Sequence, residues 1–106
     1  MNSREKGKRG ELKAAHALQK YGYDARRSQQ YAGINSDADV VGLPGIHIEV
    51  KRVEKLNLEN AVQQSERDAR ESEKPIVMHR KNRSKWLVTM PLDEWMELYK
   101  AWENGR

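Results

Sequence analysis

Two carboxylates and an ammonium group lie close together between residues 37 and 51, in the segment DADVVGLPGIHIEVK. Asp39 precedes two valines, and Glu49 and Lys51 alternate with apolar residues after a short Gly/Pro turn. Residues two apart in a strand point to the same face, so we expect Glu49 and Lys51 to project together. An Asp on the neighbouring strand of a hairpin can meet them there. This grouping predicts metal-assisted hydrolysis of a phosphodiester bond.

Mg²⁺ is the metal that such a group would bind, with Mn²⁺ as a substitute. It prefers oxygen ligands and keeps several waters, so one or two carboxylates can hold it beside a phosphate. We predict Asp39 and Glu49 as ligands, with the backbone carbonyl of Val50 as a third oxygen. Lys51 either orients or deprotonates the attacking water, or it neutralises charge in the transition state. The sequence leaves both roles open.

The alternative interpretation of Glu49 and Lys51 is an exposed ion pair, which contributes less than about 1 kcal/mol. The presence of Asp39 at the start of an apolar strand favours a site over this alternative. Asp37 is a rival ligand because it lies only two residues away. We prefer Asp39, since the apolar strand begins directly after it and Asp37 suits a turn.

The chain has 106 residues, 34% of them charged, a net charge of +4 and no cysteine. This length predicts one domain, residues 1–106. The absence of cysteine excludes disulfides and thiolate metal sites. No apolar run reaches the length of a membrane span, and the polar start MNSREKGKRG lacks the centre of a signal peptide. We therefore expect a cytoplasmic protein.

Basic residues are concentrated in three segments, at residues 4–9, 26–27 and 79–85. One such cluster is typical of a solvated face, whereas three of them around an acidic motif favour a nucleic-acid partner. Contacts of this kind to backbone phosphates give affinity without sequence specificity. The candidate DNA-binding residues are Arg9, Arg26, Arg27, Ser28, Arg80, Lys81 and Arg83.

Hydrophobic spacing and turn residues predict the element order α-β-β-β-α-β-β-α. The fold class is therefore α/β, a central sheet flanked by helices. The predicted segments are a helix at 4–21, strands at 23–29, 38–42 and 46–53, a helix at 58–72 capped by Asn57, strands at 75–79 and 85–90, and a last helix from Pro91.

These motifs resemble the PD-(D/E)XK nuclease superfamily, and within it the small Holliday-junction resolvases of archaea and their phage-encoded relatives. Such proteins combine a Glu in the first helix, an Asp before a hydrophobic strand, and a Glu-hydrophobic-Lys on the next strand. The resemblance spans residues 4–90 and departs from the motif at Ala38, where the family name expects Pro. The matching residues are Glu11 in GKRGE, Asp39 in ADVVG, and Glu49 and Lys51 in IEVK.

The resemblance implies a restriction-endonuclease-like core with a mixed sheet, and a metal-dependent endonuclease that acts on branched or duplex DNA. It adds Glu11 as a metal ligand and Gln64 as a catalytic residue that hydrogen-bonds water or phosphate. A solvated role is the alternative for both. It also implies a homodimer, because a four-way junction has two symmetric scissile strands. The strand at 75–79 or the last helix would form the dimer surface.

Other functions stay open. The same chemistry could act on flaps, nicks or linear duplex, or the chain could be a basic DNA-binding module with structural carboxylates. His79 and Asn82 resemble a His-Asn nuclease pair, but the rest of such a site is missing. No small-molecule cofactor is expected. The three tryptophans (Trp86, Trp95 and Trp102) are expected in the core or on a dimer surface.

Overall fold

A computed structural model of the protein describes residues 3–28 and 38–106, with side chains from residue 7 onward. Residues 29–37, which include the rival ligand Asp37, lie outside the described residues. The element order is the predicted one, and most elements are shorter than their predicted segments. The described elements are α1 (Ser3–Gln19), β1 (Arg26–Arg27), β2 (Val40–Val41), β3 (Ile46–Lys51), α2 (Leu58–Asp68), β4 (Lys74–His79), β5 (Leu87–Thr89) and α3 (Leu92–Asn104).

The described strands form one mixed sheet in the order β1-β2-β3-β4-β5, with β3 at its centre. β3 and β4 run parallel, and Lys51 is paired with His79 at their ends. The other neighbouring strands are antiparallel. α2 supplies the crossover that a parallel pair requires. The predicted fold class is thus confirmed, and the carboxyl ends of β3 and β4 lie at the same edge of the sheet.

The main core lies between α1 and one face of the sheet. Small residues on the inner side of α1 allow the helix to approach the strands closely, and burial of the apolar side chains opposite stabilises the contact. The buried cluster comprises Ala14, Ala15, Ala25, Val40, Ile48, Val50, Ile76 and Met78.

Gly42, directly after β2, lies against Asp24 and Ala25, the residues that precede β1. Glycine makes this close approach feasible. Its φ is +125°, and a Cβ placed there would lie 2.4 Å from the carbonyl oxygen of Asp24. Only glycine avoids both the strained backbone angle and the clash. This contact holds β2, the short hairpin partner of β3, in place. Because Asp39 directly precedes β2, the contact also helps to position Asp39.

α2 packs over β3 and β4 on the opposite face. Its start is the predicted one: the Asn57 side chain accepts a hydrogen bond from the backbone N–H of Asn60 at 3.1 Å. This cap satisfies one of the amide groups that a helix leaves without a partner at its first turn. Ala61 and Ser65, one turn apart, are its buried residues.

β3 is buried on both faces along most of its length. Ile48 and Val50 belong to the core under α1. His47, Glu49 and Lys51 alternate with them and therefore point to the face that α2 covers. Glu49 and Lys51 therefore lie on one face of β3, as the alternation in the sequence predicts.

α3 contains no buried residue. Trp95 is 50% exposed and Trp102 59% exposed, which leaves the dimer surface as the open one of their two predicted locations, whereas Trp86 packs against the core. α3 is attached through Lys74, which forms ion pairs with Glu94 at 3.3 Å and with Glu97. Among the described helices, none combines the length and apolar character that crossing a membrane would require.

Candidate active site

Asp39 is held at the start of β2 by its backbone and its side chain. Its N–H donates to the carbonyl of Ile48, and its carbonyl accepts from the N–H of Ser28 at 3.0 Å. Its Oδ2 accepts from the backbone N–H of Val50 at 2.9 Å. Asp39 is therefore fixed against the centre of β3, beside the peptide that joins Glu49 to Val50.

Glu49 is a buried carboxylate at the centre of the sheet, with 2% of the residue exposed. Its Oε1 lies 2.8 Å from Nε2 of His47, two residues earlier on the same face of β3. A carboxylate oxygen accepts and an imidazole N–H donates, so the two side chains form this hydrogen bond when Nε2 of His47 carries a proton. Burying a charge is costly without a partner, and His47 supplies one.

Asp39 and Glu49 are close enough to affect each other's ionisation. Burial, and next the negative charge of Glu49, raise the pKa of Asp39 to about 7, although the Val50 N–H opposes the shift. Glu11 contributes in the same direction, as does a hydrogen bond with Glu49. Two carboxylates in this position favour either a shared proton or a cation.

The raised pKa of Asp39 predicts how stability depends on pH in the metal-free protein. The unfolded chain loses the proton near pH 3.8 and the folded protein near pH 7. The folded state holds the extra proton between these values, so the free energy of unfolding falls as pH rises from about 4 to 7. We expect Asp39→Asn to be more stable than wild type at pH 8 by a few kcal/mol, and to lose most of this slope.

Urea unfolding in EDTA at several pH values measures this difference. Asp24→Asn is the matched control, because the Asp24 side chain is 97% exposed. An Asp39→Asn variant with the same pH slope as wild type and the control would show that Asp39 ionises normally in the folded protein.

His47 is a residue that the sequence analysis missed. It is 1% exposed, and its Nδ1 lies 3.8 Å from a carboxylate oxygen of Glu73. Burial lowers the pKa of His47, but the hydrogen bond to Glu49 and the charges of Glu49, Glu73 and Asp68 outweigh burial and raise it. The sequence did contain a signal for this contact. His47 stands two residues before Glu49, and this spacing places both side chains on one face of the strand.

Glu11 lies on α1, half-buried, and forms an ion pair with Arg27 at 3.0 Å. Its charge also raises the pKa of Asp39, so it borders the carboxylate pair. Two predicted residues are therefore brought together in an unforeseen way: Arg27, expected to contact DNA, neutralises Glu11, which was expected to bind metal. Their predicted roles in catalysis and binding stay predictions.

The two central carboxylates fit a divalent cation. No group of three or more acidic or histidine side chains within residues 7–28 and 38–106 is arranged as a metal site. Mg²⁺ nevertheless needs only one or two carboxylates together with water and substrate phosphate. The Val50 N–H engages one oxygen of Asp39 and His47 engages one oxygen of Glu49, and the two carboxylates also interact with each other. The buried pair of like charges, with the pKa of one member raised, favours a positive ion there.

Lys51 and Gln64 are less firmly held in place than Asp39 and Glu49. Lys51 ends β3 half-buried, and its carbonyl accepts from the N–H of Arg80 at 3.2 Å. Gln64 is half-buried on α2. Among the described residues, Gln64 forms no hydrogen bond with Asp39 or Glu49. The structure thus groups Asp39, Glu49 and Lys51 on adjoining strands and leaves Gln64 on the covering helix.

The basic residues predicted to bind DNA differ in their surroundings. Arg26 pairs with Asp24 at 3.5 Å. Arg80 stacks over Trp86 with 4.8 Å between the guanidinium carbon and the ring centre. The remaining candidates, Arg9, Lys81 and Arg83, are exposed.

An open cleft of about 550 Å³ lies beside the carboxyl ends of β3 and β4. Residues 53–56 line it on one side and residues 79–81 on the other. Four of its lining side chains are cationic and one, Glu54, is acidic. The excess of positive charge in this lining suits a polyanion. The cationic lining residues are Lys55, Arg80, Lys81 and Lys85.

Comparison with known proteins identifies the class. A family model described as "Phage putative PDDEXK endonuclease" matches residues 2–105, so the chain belongs to this family. The chain is accordingly a nuclease of the PD-(D/E)XK type, and nucleases of this type generally use divalent metal ions. No protein of curated function matches the chain in sequence.

A solved structure supports the fold. The Holliday junction resolvase Hjc from Archaeoglobus fulgidus, an archaeal hyperthermophile, superimposes with a TM-score of 0.56 and is 24% identical in sequence. The match covers 76% of this chain and 74% of Hjc. It confirms the restriction-endonuclease-like arrangement of a mixed sheet between helices.

Proposed function

We propose that the chain is a metal-dependent endonuclease that cuts branched DNA, with the Holliday junction as its main substrate. The observation that carries this proposal is the buried pair of Asp39 and Glu49 at the centre of the sheet, with Lys51 two residues beyond Glu49 on the same face. The family supports the chemistry, and the resolvase fold supports the choice of substrate.

The proposed site assigns one role to each group. Asp39 and Glu49 hold Mg²⁺, with the carbonyl of Val50 as a further oxygen and Glu11 at the border. The bound ion would polarise a phosphoryl oxygen and make its water more acidic. Lys51 places its side-chain nitrogen beside the phosphate, where the ammonium form stabilises negative charge or the neutral amine receives the proton of the attacking water. Gln64 is proposed to orient that water.

His47 contributes by fixing Glu49. The 2.8 Å hydrogen bond from Nε2 holds Oε1, so the carboxylate is oriented before substrate arrives. Partners of this kind set the orientation of metal ligands and commonly affect metal affinity.

The test is cleavage of labelled DNA of several shapes by purified protein. A four-way junction, a flap, a nicked duplex and a linear duplex of matched sequence are incubated with Mg²⁺, Mn²⁺ or EDTA. We expect paired nicks at symmetric positions in the junction, with either metal and not with EDTA. Equal cutting of the linear duplex would contradict branch selectivity, and binding without any cutting would contradict nuclease activity.

We also propose a homodimer that forms through α3. A two-fold dimer can present one site to each scissile strand of a junction. α3 exposes Trp95, Leu98 and Trp102, and β5, which precedes it along the chain, exposes Leu87 and Val88. An exposed apolar surface of this kind is typical of a protein–protein contact, and a second copy of the chain would cover it.

Trp95→Glu tests this interface. Trp95 stacks on Tyr99 with ring centres 5.5 Å apart, and Glu is a good helix former, so the variant should fold. We expect the dimer dissociation constant to rise by at least about 30-fold, measured by light scattering over a concentration series. Gln63→Glu, which adds the same charge at an exposed position of α2, is the control. A wild-type protein that stays monomeric, or an unaffected Trp95→Glu dimer, would contradict this surface.

A further inference from the structure

Four cations from three parts of the chain meet beside α1, and the site described above does not use them as a group. Arg9 and Lys13 lie one turn apart on α1 and are neighbours on the helix surface. Arg52 follows β3, and Arg80 follows β4. Because β3 and β4 are parallel and in register, Arg52 and Arg80 leave the sheet at the same edge.

Close packing between α1 and Arg52 brings the group together. Gly10 is buried, and a Cβ at this position would lie 3.2 Å from the Cβ of Arg52. The helix therefore contacts the stem of Arg52 directly, which places its guanidinium near the basic side chains of α1. Arg52 thus lies on the α1 face of the sheet, whereas Lys51 and Glu49 belong to the α2 face.

The four side chains lack a counter-ion among the described residues. Arg26, Arg27 and Lys74 each form an ion pair with a carboxylate, whereas Arg9, Lys13, Arg52 and Arg80 form none within residues 7–28 and 38–106. The repulsion is appreciable: the charge of Arg52, then burial, and then the charges of Arg80 and Arg9 lower the pKa of Lys13.

Two of the three guanidinium groups also have unsatisfied donors. Nε of Arg52 and Nε of Arg80 are buried from solvent and have no hydrogen-bond partner among the described residues. A buried donor without a partner is costly, and an anion bound by the guanidinium group would relieve this cost. Converging positive charges together with unsatisfied donors match the chemistry of a phosphate group.

We propose that Arg9, Lys13, Arg52 and Arg80 form a binding site for a backbone phosphate of the DNA, distinct from the phosphate that is cut. The site lies on the opposite face of β3 from the side chains of Glu49 and Lys51, so it takes a phosphodiester of a neighbouring nucleotide. Two phosphates of one strand would then be held on either side of the end of β3, which fixes the direction of that strand. Lys13 and Arg52 are new to the DNA surface, while Arg9 and Arg80 were predicted from the sequence. This inference rests on DNA being the substrate but not on cleavage.

The experiment measures DNA binding in EDTA by fluorescence anisotropy, over a range of KCl concentrations, with junction and linear DNA. The variants are Lys13→Gln and Arg52→Gln, and the control is Lys20→Gln, an exposed lysine just beyond the end of α1. Lys13 is exposed, so its replacement should not disturb folding. Arg52→Gln keeps part of the side-chain stem that packs on Gly10, and circular dichroism checks its fold.

We expect Lys13→Gln and Arg52→Gln each to weaken binding by roughly tenfold at moderate salt. Each should also reduce the slope of log K against log[KCl] by about 1, for both DNA shapes, because one phosphate contact is lost. The control should keep the wild-type slope. Wild-type affinity and slope in both variants would overturn the proposal. Because no metal is present, this result is independent of cleavage. A protein that binds DNA through these residues but never cuts it would refute only the nuclease mechanism and would leave the phosphate-binding site standing.

Discussion

Glu49→Gln and Asp39→Asn are each expected to reduce the rate of DNA cleavage by at least about a thousandfold. A metal ion stabilises the charge of the transition state by several kcal/mol, and each 1.36 kcal/mol corresponds to a factor of ten in rate. Both substitutions preserve shape. Glutamine can still accept the hydrogen bond from His47, and asparagine can still accept the one from the N–H of Val50.

Single-turnover cleavage of a labelled junction measures this effect, and binding in EDTA shows whether the loss is chemical. DNA affinity should be unchanged or higher in both variants, since each removes a negative charge facing the phosphate. Glu59→Gln, an exposed position in the first turn of α2, is the control. Wild-type cleavage by either variant would remove that residue from the site.

Lys51→Ala is expected to slow cleavage by roughly 10²- to 10³-fold without weakening Mn²⁺ binding. This is the range found when one group that stabilises transition-state charge is removed from an enzyme. Single-turnover rates and Mn²⁺ calorimetry measure the two properties separately, with Lys20→Ala as the control. A slow variant that has also lost Mn²⁺ affinity would mean that Lys51 supports the carboxylates rather than the reaction.

Lys51→Arg separates the two roles that the sequence leaves open. Arginine keeps the positive charge but does not give up its proton in proteins. A variant with substantial residual activity would show that the charge is what matters. An inactive variant that still binds DNA and Mn²⁺ would support proton transfer by Lys51.

Much of the fold follows from local patterns in the sequence. Alternation along IHIEVK predicts a strand with Glu49 on one face, and Asn57 marks the start of α2 through a side-chain bond that the structure contains. The Gly/Pro turn between β2 and β3 sets the hairpin that brings Asp39 to Val50. These features depend on neighbouring residues, so the sequence predicts them well.

The partners of each charged side chain depend on contacts between distant segments, and the sequence did not predict them. The pairing of Glu11 with Arg27 joins α1 to β1 across 16 residues, and the contact of Gly10 with Arg52 joins α1 to the end of β3. His47 was overlooked although its spacing from Glu49 is the one that identified Lys51. The sequence suggests a catalytic role for histidine only in the pair of His79 with Asn82, whereas His47 lies within hydrogen-bond distance of the Glu49 carboxylate.

The aromatic residues of α3 show a different limit. Their helical spacing is the pattern of a buried face, and Trp95 and Trp102 are nevertheless exposed. A periodic apolar face indicates that a surface will be covered, but it does not tell whether the cover comes from the same chain. The proposed second copy accounts for this pattern.

The central claim is that Asp39 and Glu49 bind one divalent cation together. A crystal of the wild-type protein soaked in MnCl₂, with diffraction data collected near the manganese absorption edge, tests it directly. We predict an anomalous peak between these two carboxylates, absent from an Asp39→Asn crystal treated in the same way. Two ordered carboxylates that point apart, with no anomalous peak between them, would contradict the account.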